Sequence, residues 1–376
     1  MRILFISHYS GVGGANLSML YLIQNLRSYS VDSTVLIPKK GPIEDLLSAN
    51  KIEYCIYTYA SLRTRKYFWP INYLVGLLRY LTNIISALRI SYRFNESIDI
   101  IHANSSLVFI GCLLKKILKV PLVWHLREFG KDDYNLTFPL GLKFAKYKYE
   151  NADALIAISE SIKRYYIENI CPNANIYTIY NGVQHDKIAY RNKTNNPPVY
   201  KICIVGGISQ NKNQIELVKA AHLLQGNNFI IDIIGEGTES DTRELYQLIQ
   251  KYGLNDKIRL LGQRSDINSL LCNYDIGVIT SKNEAFGRVI IEYMLSGLAV
   301  VASNAGACPE LVNDKVDGLL YELGNAEDLS NKLNSLIDSD ENLLSKYSLA
   351  GRNKAISLYT AKANAESISK LYNTLL

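Results

Sequence analysis

The chain reads as α/β, built from two doubly wound Rossmann-like domains of similar size. Its 376 residues exceed one ordinary domain, and a hydrophobic content of 48% supplies two cores. Short apolar runs rich in β-branched residues alternate with stretches of helical period, the rhythm of parallel strands joined by crossover helices. That rhythm stops at "DKIAYRNKTNNPPV", a polar segment with the chain's one Pro-Pro pair, and then restarts.

In the first domain, residues 1–190, "RILFIS" precedes a helix over 16–29, and "STVLIP" leads into a turn. "IDIIHAN" precedes a helix over 105–118, "PLVWHL" follows, and "ALIAIS" precedes a helix over 160–169. In the second, residues 199–355, "VYKICIVGG" leads to a helix over 212–225 and "FIIDIIG" to one over 241–252. "IRLLG", "IGVIT", a helix over 287–296 and "AVVAS" complete the series. Residues 356–376 read as a terminal helix. In folds of this class the ligand lies at the carboxyl ends of the strands, here expected in a cleft between the two sheets.

Composition removes several function classes. Lys and Arg outnumber Asp and Glu 22 to 14 in residues 1–190 but stand 19 to 21 in residues 191–376, so the basic character belongs to the first half. Six scattered cysteines form no C-x-x-C pair and no His cluster accompanies them, which argues against a zinc site and a disulfide framework. A cytoplasmic compartment is expected, because "MRILFISHYS" starts a strand without the features of a signal peptide.

Glycines mark where a ligand can approach. "SHYSGVGGAN" joins the first strand to the first helix, and Gly13 and Gly14 there suit an anion seat at a helix N-terminus. The plain alternative is a tight turn that needs glycine for its own sake. The pattern is neither a dinucleotide fingerprint nor a Walker loop. "VGGISQNKNQ" repeats the arrangement and places Lys212 at the expected first helical turn, against the helix dipole unless an anion is bound nearby. "SKNEAFGRVIIEYMLSG" places Glu284 before a helix start and Glu292 inside the helix, with the backbone of Phe286, Gly287 and Arg288 facing an anion. A surface glutamate on an amphipathic helix is the plain alternative for Glu292, although its apolar neighbours favour burial with a partner. His125 ends "PLVWHL", where a satisfied core histidine is the plain alternative; His8 is a weaker candidate, and His102 and His222 read as structural.

Residues 63–95 hold six Lys or Arg, no acid, and several aromatic residues. Arg79 and Asn83 interrupt a membrane span, so the segment reads as a basic amphipathic surface that meets anionic lipid, or as a helix packed on the first sheet with a wet face. No nucleic-acid recognition module accompanies it.

Taken in order with "VWH", "AISESI", "IYNGV", "IIGEG", "LGQRSDI" and "SNAGACPELV", these motifs run over essentially the whole chain, and it resembles the retaining glycosyltransferases of family 4 with the two-domain GT-B fold. The resemblance implies transfer of a sugar from a nucleotide sugar, a UDP-sugar or alternatively a GDP-sugar, with no metal required. It places Glu284 on the donor sugar, Glu292 on the nucleotide ribose, Lys212 on the diphosphate, Gly13 and Gly14 on the phosphate side, and His125 at the sugar and acceptor pocket. Family members more often have arginine where Gly207 stands, a loss worth about 3 kcal/mol at a developing charge unless Arg264 or Arg288 compensates. Ala307 replaces a frequent glycine. The implied acceptor is a cell-surface glycan, such as lipopolysaccharide or capsule, or its lipid-linked precursor, reached by an enzyme peripheral on the inner face of the membrane. A related epimerase or phosphorylase, or a silent glycan- or nucleotide-binding subunit, are the alternatives. The terminal helix is expected to return to the first domain.

Overall fold

The computed structural model describes residues 1–62, 64–65, 69–95, 97–130, 136–192, 197–224, 226, 228–337 and 342–376. The chain forms two compact units, one comprising Met1–Gly182 with Ala361–Leu376 and the other Val183–Thr360. Residues 193–196 of the polar segment between the two strand series lie outside the described residues.

The first unit holds a seven-stranded parallel sheet. Its strands are β1 (Arg2–Ile6), β2 (Asp32–Ile37), β3 (Glu53–Ile56), β5 (Ile100–Ala103), β6 (Leu122–Leu126), β8 (Ala154–Ala157) and β9 (Ile176–Thr178), ordered β3-β2-β1-β5-β6-β8-β9. A separate antiparallel ribbon pairs β4 (Thr64–Arg65) with β7 (Leu136–Thr137). Central strands such as β5, β6 and β8 are buried along their whole length, as expected where helices cover both faces. Helix α1 (Gly14–Leu26) follows β1, α2 (Ile43–Ala49) follows β2, and α3 (Trp69–Phe94) bridges β3 and β5 beside α4 (Ile110–Leu118). α5 (Leu142–Glu150) and α6 (Glu160–Asn169) complete this half. Ser159 caps α6 by accepting the Ile162 N–H at 3.1 Å, which explains the sharp start of that helix.

The second unit repeats the plan with six parallel strands, β10 (Tyr200–Val205), β11 (Phe229–Ile234), β12 (Ile258–Gly262), β13 (Ile276–Ile279), β14 (Ala299–Ser303) and β15 (Leu319–Tyr321), ordered β12-β11-β10-β13-β14-β15. Its principal helices are α7 (Gln214–Leu223), α8 (Glu239–Lys251), α9 (Arg288–Ser296), α10 (Cys308–Leu311), α11 (Ala326–Ile337) and α12 (Leu343–Leu358). α9 is seated by one side chain. Tyr293 crosses Gly277 of β13, whose missing Cβ leaves room for the ring, and its hydroxyl accepts the Val205 N–H at the end of β10 at 2.7 Å.

The last helix, α13 (Ala361–Asn373), belongs to the first unit, packs on α1, and adds Ala365, Ile368, Leu371 and Tyr372 to the core around Ile3, Phe5, Met19 and Ile23.

Candidate active site

In each sheet the strand order reverses beside the first strand, between β1 and β5 and between β10 and β13. The loops leaving two such strands diverge and open a crevice. In the second unit those loops carry Lys212 and Glu284.

The Lys212 loop is locked on both sides. Thr280 Oγ1 donates to the Lys212 carbonyl at 2.7 Å, and the Asn211 side chain both accepts from the Asn283 N–H and donates to the Asn283 carbonyl at 3.1 Å. Lys212 does not lie in the first helical turn, as its sequence setting suggested. α7 begins at Gln214, because Asn213 takes a left-handed conformation at φ 52° and the Gln214 amide folds back to donate to the Gly207 carbonyl at 3.0 Å. The lysine stem therefore runs beside Gly206.

The Lys212 ammonium meets Glu284 Oε2 at 2.6 Å. Glu284 Oε1 accepts the Gly287 N–H at 3.2 Å, so that donor, read from the sequence as facing an anion, here orients the carboxylate. Gly287 is left-handed at φ 86° and starts α9 without a side-chain cap. Behind Glu284 stands Gly306, also left-handed at φ 55°, where a Cβ would come within 2.5 Å of the Glu284 backbone N and O. The adjoining Ala307 N–H donates to the Glu284 carbonyl at 2.8 Å. Glu292, one turn into α9, is buried and accepts from Arg288 Nε through Oε1 at 2.8 Å. Phe286 is buried edge-on to the Tyr359 ring. Cys308, also buried here, has its thiol pushed up to about 12 by burial and then by the Glu284 charge, which leaves it inert as a nucleophile.

At Gly207 a Cβ would lie 3.3 Å from the Glu236 carbonyl oxygen, a tight contact that a side chain would have to relieve by a small shift of the loop. Neither arginine considered as a replacement is idle. Arg264 lies exposed after β12 with its fork on Asp266 at 2.8 and 2.7 Å, and Arg288 holds Glu292.

In the first unit the turn after β1 is braced by Asn16, which donates to the carbonyls of Tyr9 and Gly11 at 3.1 and 2.9 Å and accepts from Ser7 Oγ at 2.7 Å. The Tyr9 phenol fills the space a Gly13 side chain would need, whereas nothing lies near Gly14. His125 is fully buried on β6. Its Nδ1 is 3.1 Å from His102 Nε2 and 3.2 Å from Arg127 Nη2, and its Nε2 is buried without a partner. Arg127 is held by Asn104 and by Asn181 Oδ1, the latter at 2.7 Å, and burial brings its pKa down to about 10. Glu128 Oε1 accepts from Ser105 and Ser106 at 2.8 and 2.5 Å. His8, whose Nδ1 is buried without a partner, has its pKa lowered by burial. His222 stacks on Tyr252 at 4.3 Å.

Residues 12–187 match the family described as Glycosyltransferase Family 4, and residues 186–354 that described as Glycosyl transferases group 1. An uncharacterized glycosyltransferase of Methanocaldococcus jannaschii is 30% identical over 80% of this chain and 84% of its own. The chain is a glycosyltransferase of the family 4 type. HepE of Anabaena, solved in complex with UDP and glucose, superposes on this glycosyltransferase with a TM-score of 0.81 at 24% identity over the whole of both chains, the two-domain GT-B fold. A Campylobacter jejuni enzyme named N,N'-diacetylbacillosaminyl-diphospho-undecaprenol alpha-1,3-N-acetylgalactosaminyltransferase is 34% identical over 32% of this chain and 31% of its own.

The glycosyltransferase's sequence gave no warning of Asn104, His102 or Tyr372 as neighbours of His125 and Arg127; Asn181 carried a signal, since it lies within "IYNGV". Among the described residues no group of three or more His, Cys, Asp or Glu could hold a metal ion.

Proposed function

We propose that the enzyme moves a sugar from a nucleotide sugar to a cell-surface glycan or lipid-linked saccharide with retention at the anomeric carbon. The observation that carries this reading is the Lys212–Glu284 pair at the crevice between β10 and β13. As the anomeric C–O bond breaks, its electron pair passes to the leaving diphosphate. The acceptor oxygen then bonds to the same face and passes its proton to the diphosphate oxygen that has just left. Lys212 supplies fixed positive charge to the diphosphate, helped by the dipole of the α9 N-terminus at Phe286, Gly287 and Arg288, with the Gly287 N–H kept on Glu284, and by the Gly13–Gly14 turn. Arg264 is kept as a further phosphate contact, which it reaches by leaving Asp266. Glu284 addresses the donor sugar, Glu292 the ribose diol, and His125 the sugar and acceptor side. This counter-charge comes from the protein, so the reading needs no metal. HepE's ligands favour a UDP-sugar over a GDP-sugar.

A panel of nucleotide sugars scored for binding and slow hydrolysis tests it. Glu292→Gln weakens charge-assisted bonds worth roughly 1.5 to 3 kcal/mol each, so free nucleotide and nucleotide sugar bind about equally less well. Glu284→Gln lowers turnover more than donor affinity and leaves free nucleotide binding nearly unchanged. Parent-like turnover in both variants, or loss of free-nucleotide binding from Glu284→Gln, overturns the assignment.

The lipid-linked acceptor draws support from α3, which leaves an apolar stripe exposed while several polar side chains turn inward beside Ala87, Ile90 and Phe94. Asn72, Asn83, Ser86 and Ser91 are buried, while Ile71, Leu74, Leu78, Leu81, Ile85 and Leu88 are 48% to 65% exposed. Asn83 exchanges two hydrogen bonds with the Ala60 backbone and Arg79 donates to the Ser61 carbonyl at 3.3 Å, so the groups expected to interrupt an apolar face turn toward the protein. The helix is long and apolar enough to cross a bilayer by length and composition, but these bonds tie it to the unit. It carries no Asp or Glu, and Arg89 and Arg93 are exposed beside the apolar stripe. An anionic bilayer surface complements both the stripe and the charge, whereas a second copy would set arginine against arginine. The stripe and its charge support a reading in which the enzyme works peripherally on the cytoplasmic face. Arg63 and Lys66, at the basic start of this segment, lie outside the described residues.

A further inference from the structure

We propose that Tyr372, on the last helix, and His102, on β5, act as positioning residues that hold His125 in its Nε2–H tautomer and so make it a hydrogen-bond donor to the sugar. The donor role rests on the transferase reading; the tautomer does not.

The directions follow from what each group can do. Arg127 has no lone pair to accept with, so its Nη2, 3.2 Å from His125 Nδ1, must donate there. Nδ1 is then bare and the proton of a neutral ring sits on Nε2. His102 Nε2 also faces Nδ1, at 3.1 Å, and a bare nitrogen there would set two lone pairs against each other. His102 Nε2 therefore carries its own proton and points it at His125. That leaves His102 Nδ1 bare, and the Tyr372 hydroxyl, 2.6 Å away, donates to it. Arg127 and His102 share the single Nδ1 lone pair, so Arg127 holds the tautomer only in part, and the line Tyr372 O–H, His102 N–H, His125 Nδ1 supplies the rest. Asn104 and Asn181, each accepting from the guanidinium, prevent Arg127 from turning away.

Burial keeps both rings neutral. His102, His125 and Tyr372 lie in the interior, the arginine's charge opposes protonation of either histidine, and each pKa lies well below the ordinary value. A neutral Nε2–H cannot serve as a base. It can donate to a sugar oxygen, and the buried, unpartnered His125 Nε2 is the atom left to do so.

Three residues separated by as many as 270 positions thus form one hydrogen-bonded line from α13 to β6. The test is ¹⁵N NMR of the histidine rings in the full chain without substrate. The parent should show His125 with Nε2 protonated and Nδ1 bare, unchanged from pH 6 to 8. Tyr372→Phe removes the first donor with little change of volume, so His102 gains its other tautomer and His125 a second set of ring signals. Turnover should fall on the order of tenfold while free-nucleotide binding stays at parent level. A parent spectrum with His125 protonated on Nδ1, or a Tyr372→Phe spectrum identical to the parent's, overturns the proposal. The parent spectrum decides even if the variant folds poorly. Because no substrate is present, a chain inactive in every transferase assay could still show the tautomer, and the two readings fail separately.

Discussion

Lys212 and Glu284 are each other's partner at 2.6 Å, both partly shielded, which keeps an acid and a base close together without leaving either charge alone. A bound diphosphate offers Lys212 a stronger anion and leaves Glu284 to its Gly287 N–H and a sugar hydroxyl. These residues were legible because motif spacing exposes them. The surroundings of His125 were not, since His102 and Tyr372 reach it only through the packing of β5 and α13. Their burial has a thermodynamic consequence. Both histidines are neutral in the folded chain because burial first, and the Arg127 charge second, hold their pKa values down. Tyr372 faces His102 from α13, and each histidine faces the other. In the unfolded chain each titrates near 6.5, so below that pH the unfolded state binds protons the folded state refuses. Stability contributed here is complete above the unfolded value and falls as pH drops through it, with a slope approaching about 1.4 kcal/mol per pH unit for each histidine. Denaturant unfolding of the first unit between pH 6.5 and 5 should therefore steepen for the parent, and His102→Asn should remove about half of the histidine contribution. An identical slope in the variant would show that the pair is not held neutral.

At the scale of elements, the interior strands and the edge strand β12, read as "IRLLG", were legible, and the other three edges were not. β1, β5, β6, β8, β10, β11, β13 and β14 coincide with the apolar runs, because a strand covered on both faces has no polar side to hide its pattern. β3, β9 and β15 lie at sheet edges, are only three or four residues long, and mix buried with exposed positions, so no run marks them. α3 was legible as a basic amphipathic segment, but which side faces the protein was not. Apolar residues ordinarily turn inward, and here Asn83 and Ser86 do so because the carbonyls of Ala60 and Thr58 await them. Replacing Leu78 and Ile85 together by Glu charges the exposed stripe without touching those bonds. Each side chain withdrawn from lipid forfeits about 1.5 to 3 kcal/mol, so binding to acidic vesicles should weaken by at least about a hundredfold. Sedimentation reads the loss, and activity on a short soluble acceptor should persist. A parent that fails to sediment overturns the lipid reading, and a parent dimer that the double variant splits assigns the stripe to another copy of the chain.

For the whole molecule, a restarted rhythm was enough to show two α/β units, whereas the periodicity of the terminal helix could show only that it has an apolar face, not which sheet receives it. The chain leaves the first unit at Gly182 and returns at Ala361, and local bonds hold both passages. The Val183 N–H donates to the Tyr359 carbonyl at 2.9 Å, and Asn364 Nδ2 donates to the Tyr180 carbonyl at 2.7 Å. The second unit is continuous in sequence and has its own core, from Tyr200 to Tyr347. The first unit is not, since α13 supplies part of its core from the far end of the chain. Burial of Ile368, Leu371 and Tyr372 contributes on the order of 5 to 8 kcal/mol, comparable with the entire stability of a typical domain. Ending the chain at Thr360 should therefore unfold the first unit and spare the second. Calorimetry of the full chain against the truncated one should show one transition lost and one kept at nearly its original temperature, and a fragment spanning Val183–Thr360 should melt alone at that same temperature. Adding residues 361–376 as a separate peptide should restore the missing transition in proportion to its concentration, because binding to the folded form stabilises it by mass action. Two undisturbed transitions in the truncated chain would mean that the first unit's core closes without α13.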